Sequence, residues 1–199
     1  MKPKRIFALL CILCIIPCVA SCSKENETSI PFPANNRVTD ANEIVDSGSY
    51  FTLNKKGSLY YYEVYDANGN VIVSSDPQPQ YPNIEMVDDV LIRITTQGGT
   101  GIGTQISYFC NIETGKKSED FGSVFDQCNN LVAYAQSDKL IVKSIFDDYF
   151  YREIVDFQYP FSPAAFPFED AQFINDGHGV RITYFTGADY ETVSEEFML

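Results

Sequence analysis

The sequence predicts an all-β fold built from repeated antiparallel four-stranded sheets. Three observations carry that reading. All 13 tyrosines lie between residues 49 and 199, mixed with phenylalanine, valine and isoleucine in short runs. Aromatic and β-branched side chains suit a pleated, half-buried surface. The runs are broken by Gly, Asn and Asp, residues that accept tight turns. Helical periodicity over about 12 residues is missing, and the best helical candidate, Glu191 to Phe197, is too short to nucleate alone.

In chain order, four segments share one plan of strand, tight turn and strand. They are LYYYEVYDANGNVIVSSD (59–76), QISYFCNIETGKKSEDF (105–121), KLIVKSIFDDYFYREIVDF (139–157) and VRITYFTGADYETVSEEF (180–197). Their turns fall at Asn68-Gly69, Thr114-Gly115, Asp147-Asp148 and Gly187-Ala188, where a positive φ or a side-chain-supported turn is easily accommodated. A further hairpin precedes three of them: NIEMVDDVLIRITTQ (83–97), SVFDQCNNLVAYAQ (123–136) and the shortened AQFINDGHGV (171–180). The middle unit therefore reads as four consecutive antiparallel strands, and the first and last units read as incomplete. Three hairpins end alike, in SEDF, IVDF and SEEF, which places Phe121, Phe157 and Phe197 at equivalent positions 36 and 40 residues apart.

A four-stranded repeat of about 40 residues resembles the blade of a β-propeller. With no tryptophan in the chain, no WD dipeptide marks the repeats. The resemblance implies a small or partial propeller-like array over residues 39–199, either closed by its two ends or left open. A β-sandwich made of the same hairpins is the alternative. The proline-rich segments DPQPQYP (76–82) and YPFSPAAFPF (159–168) read as connections between sheets, where proline interrupts no ladder.

The N-terminus sets the expected address. Lys2, Lys4 and Arg5 precede an apolar run from Ile6 to Val19, too short for a comfortable span but suited to a signal peptide. Cys11, Cys14 and Cys18 sit among leucines and isoleucines, surroundings that suit small hydrophobes and not the ligands of a cluster. The four residues Val19-Ala20-Ser21-Cys22 resemble the lipobox of bacterial lipoproteins. That resemblance implies cleavage after residue 21, acylation of Cys22 and attachment to a membrane through it. Residues 22–38 are polar and carry Pro31 and Pro33, the composition of an extended tether. The expected location is extracytoplasmic and lipid-anchored. In a two-membrane bacterium it would be the outer membrane or cell surface, and otherwise the outer face of the plasma membrane.

Removing residues 1–21 leaves 178 residues (199 minus 21), enough for one domain with its own core. It also removes 3 of the 14 basic residues and none of the 27 acidic ones, so the remaining charge is 11 minus 27, or −16. Nucleic acid is an unfavourable partner for such a body. Two cysteines remain after Cys22, Cys110 and Cys128, and an oxidising compartment makes them a candidate disulfide.

The chemistry-bearing motifs thin out under inspection. His178 is the single histidine and lies in the turn-like NDGHGV, and neither G-x-S-x-G nor H-E-x-x-H occurs. QGGTGIGTQ (97–105) leads into a strand and so supplies no helix N-terminus for a phosphate, and TGKKS (114–118) lacks the upstream glycine of a P-loop. DANGN (66–70) has its glycine at the fourth position of a would-be calcium loop and no glutamate at the twelfth. Asp88-Asp89 and Asp147-Asp148 read as turn acids, since neighbours on a strand face opposite ways. No metal site and no cofactor are expected. The loop carrying Tyr159, Phe161, Phe166 and Phe168 is the candidate binding loop, because so many aromatics are costly to expose. The sequence thus points to a non-catalytic binding or scaffolding protein of the cell envelope, with an envelope protein or a glycan as ligand. An envelope hydrolase of glycosidase type, using paired carboxylates, is the alternative.

Overall fold

The computed structural model describes residues 42–98, 105–163 and 166–199. Cys22, the signal segment 1–21 and the tether 22–38 lie outside the described residues, as does most of the glycine-rich run 97–105. Residues Thr39–Leu199 form one compact unit. Apart from a 3-10 turn at Asn175–Gly177, every regular element among the described residues is a β-strand.

Among the described residues, sixteen strands follow one another as four antiparallel sheets. Sheet 1 holds β1 (Glu43–Gly48), β2 (Phe51–Lys56), β3 (Leu59–Tyr65) and β4 (Val71–Ser74), in that spatial order. Sheet 2 holds β5 (Asn83–Met86), β6 (Leu91–Gln97), β7 (Gln105–Asn111) and β8 (Lys116–Lys117), with the short β9 (Phe121–Gly122) also paired to β7. Sheet 3 holds β10 (Val124–Cys128), β11 (Leu131–Gln136), β12 (Lys139–Ser144) and β13 (Tyr151–Ile154). Sheet 4 has three strands, β14 (Phe168–Ile174), β15 (Gly179–Thr186) and β16 (Glu191–Met198).

The repeat is visible in the register. The first hairpin of sheet 1 closes at Gly48↔Phe51 and that of sheet 3 at Cys128↔Leu131. The second hairpins close at Lys56↔Leu59 and Gln136↔Lys139. A bulge between Ile44 and Asp46 recurs between Val124 and Asp126, and again between Phe168 and Asp170. Sheets 1 and 3 are thus offset by 80 residues at each point (128 minus 48, 136 minus 56, 126 minus 46), which is two repeats of 40. The same left-handed turn residue is Gly57 in one sheet, at φ 61°, and Ser137 in the other, at φ 60°.

Three apolar layers hold the sheets together, each between neighbours in the chain. Leu53, Tyr62 and Val64 of sheet 1 meet Ile92, Ile94 and Cys110 of sheet 2. Leu91, Phe109 and Phe121 meet Val132 and Ile145 of sheet 3. Ala133, Leu140, Val142 and Ile154 meet Phe168, Ala171, Ile182 and Tyr184 of sheet 4. Sheets 2 and 3 are therefore buried on both faces, which a two-sheet sandwich does not do. On the far face of sheet 4, Arg181 pairs with Glu196 and Thr183 with Ser194, all polar. The far face of sheet 1 carries Thr52, Glu63 and Tyr65 in a hydrogen-bonded group. Among the described residues the sheets stack in series, with no apolar layer joining the fourth to the first.

Two expectations need correction. Sheet 1 is complete, because EIVDSG and FTLNKK form β1 and β2 although both are largely polar. The three terminal phenylalanines are not equivalent. Phe121 opens the short β9 of sheet 2 and Phe157 follows the outer strand of sheet 3, and each fills the layer beyond its sheet. Phe197 lies on the third strand of sheet 4 and packs in the same layer as Phe157, with ring centroids 5.5 Å apart.

Candidate functional site

The most elaborated surface is the seam between sheets 2 and 3, and it originates in a broken strand. Along one edge of β7 the partner strand is split, with β8 pairing at Cys110↔Lys117 and β9 at Ser107↔Phe121. Ser118 holds the break. Its N–H donates to the Phe109 carbonyl at 2.8 Å, and its Oγ accepts from the Phe109 N–H at 2.9 Å. That leaves Glu119 and Asp120 outside the ladder, Glu119 turned to Lys143 of sheet 3 and Asp120 3.4 Å from the Lys117 ammonium.

Sheet 3 answers with a mixed face. The alternation of β11 and β12 brings Val132 opposite Lys143, Tyr134 opposite Ile141 and Gln136 opposite Lys139. The apolar members, with Phe121 5.2 Å from the Tyr134 ring, form the floor. Burial raises the Tyr134 phenol above its ordinary range. Lys143 reaches across to pair with Glu119 and lies 3.7 Å from Asp148 Oδ1. The Glu119 carboxylate raises the Lys143 ammonium, so this cation stays charged at any physiological pH.

Three clefts run along the seam. One of about 200 Å³ is lined by Lys117, Glu119, Lys143, Phe146 and Asp148. A second, of about 400 Å³, shares Glu119 and adds Asp120, Tyr134 and Gln136. The third, about 340 Å³, shares Phe146 and adds Asp88, Asn111, Asn129 and Asn130. Beside them stand Tyr149, 93 % exposed, and Tyr151, whose hydroxyl donates to Glu153 at 2.8 Å. Amides, carboxylates, the Lys143 ammonium and tyrosine hydroxyls on an apolar floor make a surface for polar, hydrogen-bonding ligands.

The carboxylates with perturbed acidity all move downward. Asp147 is lowered by the Tyr149 N–H, Glu153 by the Lys139 ammonium 2.7 Å away, and Asp66 by the Asn70 side chain. A glycosidase acid needs the opposite shift.

The residues singled out from sequence fall in several places. Cys110 is buried in the layer between sheets 1 and 2, where burial pushes its thiol up to about 12. Cys128 ends β10 in sheet 3, against the Gly177 backbone. Both are free, so the expected disulfide is not formed; the intervening strands carry the two thiols to different layers. The candidate binding loop divides. Phe168 is buried on β14 and Phe161 stacks among Phe157, Phe168 and Tyr184, whereas Tyr159 and Phe166 remain exposed. Two of its four aromatics thus pack between sheets 3 and 4, and two stay at the surface. His178 is exposed, with Nδ1 2.8 Å from the Asn175 carbonyl across the 3-10 turn. In DANGN, Asp66 accepts from the Asn68 and Asn70 N–H groups and from the Asn70 amide, so the turn supplies its own partners. The seam itself was not legible as a site, because the break at Ser118 has no sequence signal beyond SEDF.

No family model matches this chain. No curated protein matches it either. Among solved structures, a computationally designed protein, Ika4, is 13% identical, with a TM-score of 0.37 over 79% of this chain and 91% of that one. Hsv2 of Kluyveromyces lactis is 10% identical, with a TM-score of 0.25 over 79% of this chain and 72% of that one. Neither likeness is close enough to carry an argument.

Proposed function

We propose that this chain is a lipid-anchored cell-envelope protein whose sheet array is a non-catalytic recognition or scaffolding body. The observation that carries the address is Cys22, set behind Val19-Ala20-Ser21 and a basic, then apolar, N-terminus. The recognition half is supported by the seam between sheets 2 and 3, with paired charges, amides and tyrosines around three neighbouring clefts. A glycan or an envelope protein is the ligand class that such a surface suits.

The test is fractionation of a bacterium expressing the full chain. The protein is expected in the membrane fraction and open to protease once the cell surface, or a permeabilised outer membrane, admits it. Cys22→Ser should leave an unprocessed precursor or a released chain. Recovery of the wild type in the cytosol, beyond the reach of protease, overturns the address.

A further inference from the structure

The first and third turns of a four-stranded meander fall at the same end of its sheet, and along the seam that end is built largely from Asn and Asp. Asp88 lies in the turn from β5 to β6, and Asn111 ends β7. Across the seam, Asn130 lies in the turn from β10 to β11, and Phe146 follows β12. These residues converge on the third cleft, of about 340 Å³. Sites for small molecules begin at roughly 300 Å³.

In this cleft each polar side chain is held at one atom and open at another. Asp88 Oδ1 accepts from the Val90 and Leu91 N–H groups, at 2.8 and 2.7 Å. Asn111 Oδ1 accepts from the Glu113 and Thr114 N–H groups, at 3.1 and 2.8 Å, which fixes the other end of that amide as the nitrogen. The Asn130 amide donates to Asp147 Oδ2 at 3.4 Å, while its main-chain carbonyl accepts from the Ile145 N–H at 2.8 Å. Among the described residues, Asp88 Oδ2, Asn111 Nδ2 and Asn130 Oδ1 have no hydrogen-bond partner. A donor group and two acceptors are thus open, on side chains whose placement the turns already set. Buried Leu91 and half-buried Phe146 give the cleft its apolar wall.

The mixture of groups selects the ligand. An anion only accepts, and here it would meet the Asp88 carboxylate with no basic side chain in the lining. Lys116, whose charge is felt at Asp147, does not line the cleft. An ammonium only donates and cannot use the Asn111 N–H groups. A hydroxyl does both. Several hydroxyls on one ring can answer amides and a carboxylate together, while the ring's C–H groups, weakly positive, rest against an aromatic side chain.

We propose that this cleft is the subsite for an uncharged sugar ring of a glycan. Hydroxyls of the ring donate to Asp88 Oδ2 and Asn130 Oδ1, and one accepts from Asn111 Nδ2. The inference rests on the recognition part of the proposed function and not on the anchor. Glu119 and Lys143, paired with each other beside the first cleft, take no part in holding the ring.

The probe is a panel of immobilised oligosaccharides, neutral, amino-substituted and acidic, offered to the detergent-extracted full chain. Neutral members should bind best, and the best of them, added free to isotopically labelled protein, should shift the amide signals of Asn111 and Asn130. Asn111→Asp keeps the oxygen that holds the turn and loses the open N–H groups, so binding should fall about tenfold or more at an unchanged melting temperature. Asn130→Ala, on the opposite sheet, should weaken binding too and serves if that change unfolds the protein. Gln136→Ala, which alters only the second cleft, should leave binding intact. Preference for acidic or amino members, full binding by Asn111→Asp and Asn130→Ala, or no binding by any member overturns the proposal. Signals that move at Glu119 and Lys143 but not at Asn111 would give the glycan to the first cleft and overturn it as well. The recognition reading is tested apart, by a photoreactive benzoylphenylalanine in place of the exposed Tyr149, activated in intact cells. A crosslinked envelope protein beside a blank panel removes the sugar and keeps recognition, whereas a blank in both removes both.

Discussion

The layer between sheets 3 and 4 and the layer between sheets 1 and 2 hold similar meanders together by different means. In the former, Phe157 lies within 6 Å of Phe161, Phe168, Tyr184 and Phe197, a continuous aromatic contact in tilted and edge-on geometries. In the latter, the centre is a polar pair, with the Tyr62 and Tyr108 hydroxyls 2.7 Å apart and buried, and Lys117 4.2 Å from the Tyr108 ring centroid. The proline-rich connections differ in the same way. The segment after β13 folds in, with Phe161 bridged to Thr186 and Ser162 donating to the Phe185 carbonyl. The segment after β4 stays outside, with Gln78 bridged to Tyr60 and Tyr81 54 % exposed against the Tyr60 ring. A three-stranded sheet has less of its own surface to bury, and the connection supplies the missing apolar area. Aromatic richness in a loop is therefore not by itself a sign of a ligand.

The largest expected effect lies in the aromatic layer. Phe168→Ala removes a ring that contacts Phe125, Phe157 and Phe161, and should cost about 3 to 5 kcal/mol in chemical denaturation. Tyr159→Ala, on the same loop but exposed, should cost under about 1 kcal/mol. Similar losses at the two positions would break the view that the loop is packing.

In the polar layer, Tyr108→Phe leaves the Tyr62 hydroxyl buried without its partner and should cost about 1 to 3 kcal/mol. The double change Tyr62→Phe with Tyr108→Phe should cost less than twice the single change, since both polar atoms are then gone. Strict additivity would mean that the hydroxyls do not act as a pair.

Alkali should strain the polar layer as well. Burial raises the Tyr108 and Tyr62 phenols, and burial with the Glu195 hydrogen bond raises Tyr184 to about 12. A raised folded-state pKa contributes stability that is fully present below the unfolded value, near pH 10, and is lost as pH rises through the folded one. Denaturant midpoints should hold constant from neutrality to about pH 9 and fall above about pH 10. Tyr108→Phe should flatten that fall, and an unchanged alkaline slope would contradict the assignment.

The smallest effect is one of reactivity. Cys110, buried with a raised thiol, should resist a thiol reagent that labels the partly exposed Cys128 in the folded protein. Equal labelling would place Cys110 outside the layer.

Much of the strand content was legible, because the hairpins depend on local turn chemistry such as Asp66 to Asn70 and Gly115. What escaped the sequence depends on placement. β1 and β2 are polar because one face of sheet 1 meets solvent, so EIVDSG carried little strand signal despite its 80-residue match to VFDQC. SEEF looked like SEDF, yet Phe197 and Phe121 serve different layers, since four common residue types do not encode a position in an array. The seam was hidden for the same reason: Glu119 and Asp120 become site residues only because Ser118 breaks the ladder and Lys143 arrives from a strand 24 residues later.

The address is the premise on which the functional reading stands, and Cys22 tests it directly. Intact mass and tandem mass spectrometry of the N-terminal peptide from the membrane-extracted protein should find a chain that begins at Cys22 and carries a diacylglyceryl-type adduct on that residue. An unmodified chain beginning at any other residue would contradict the account.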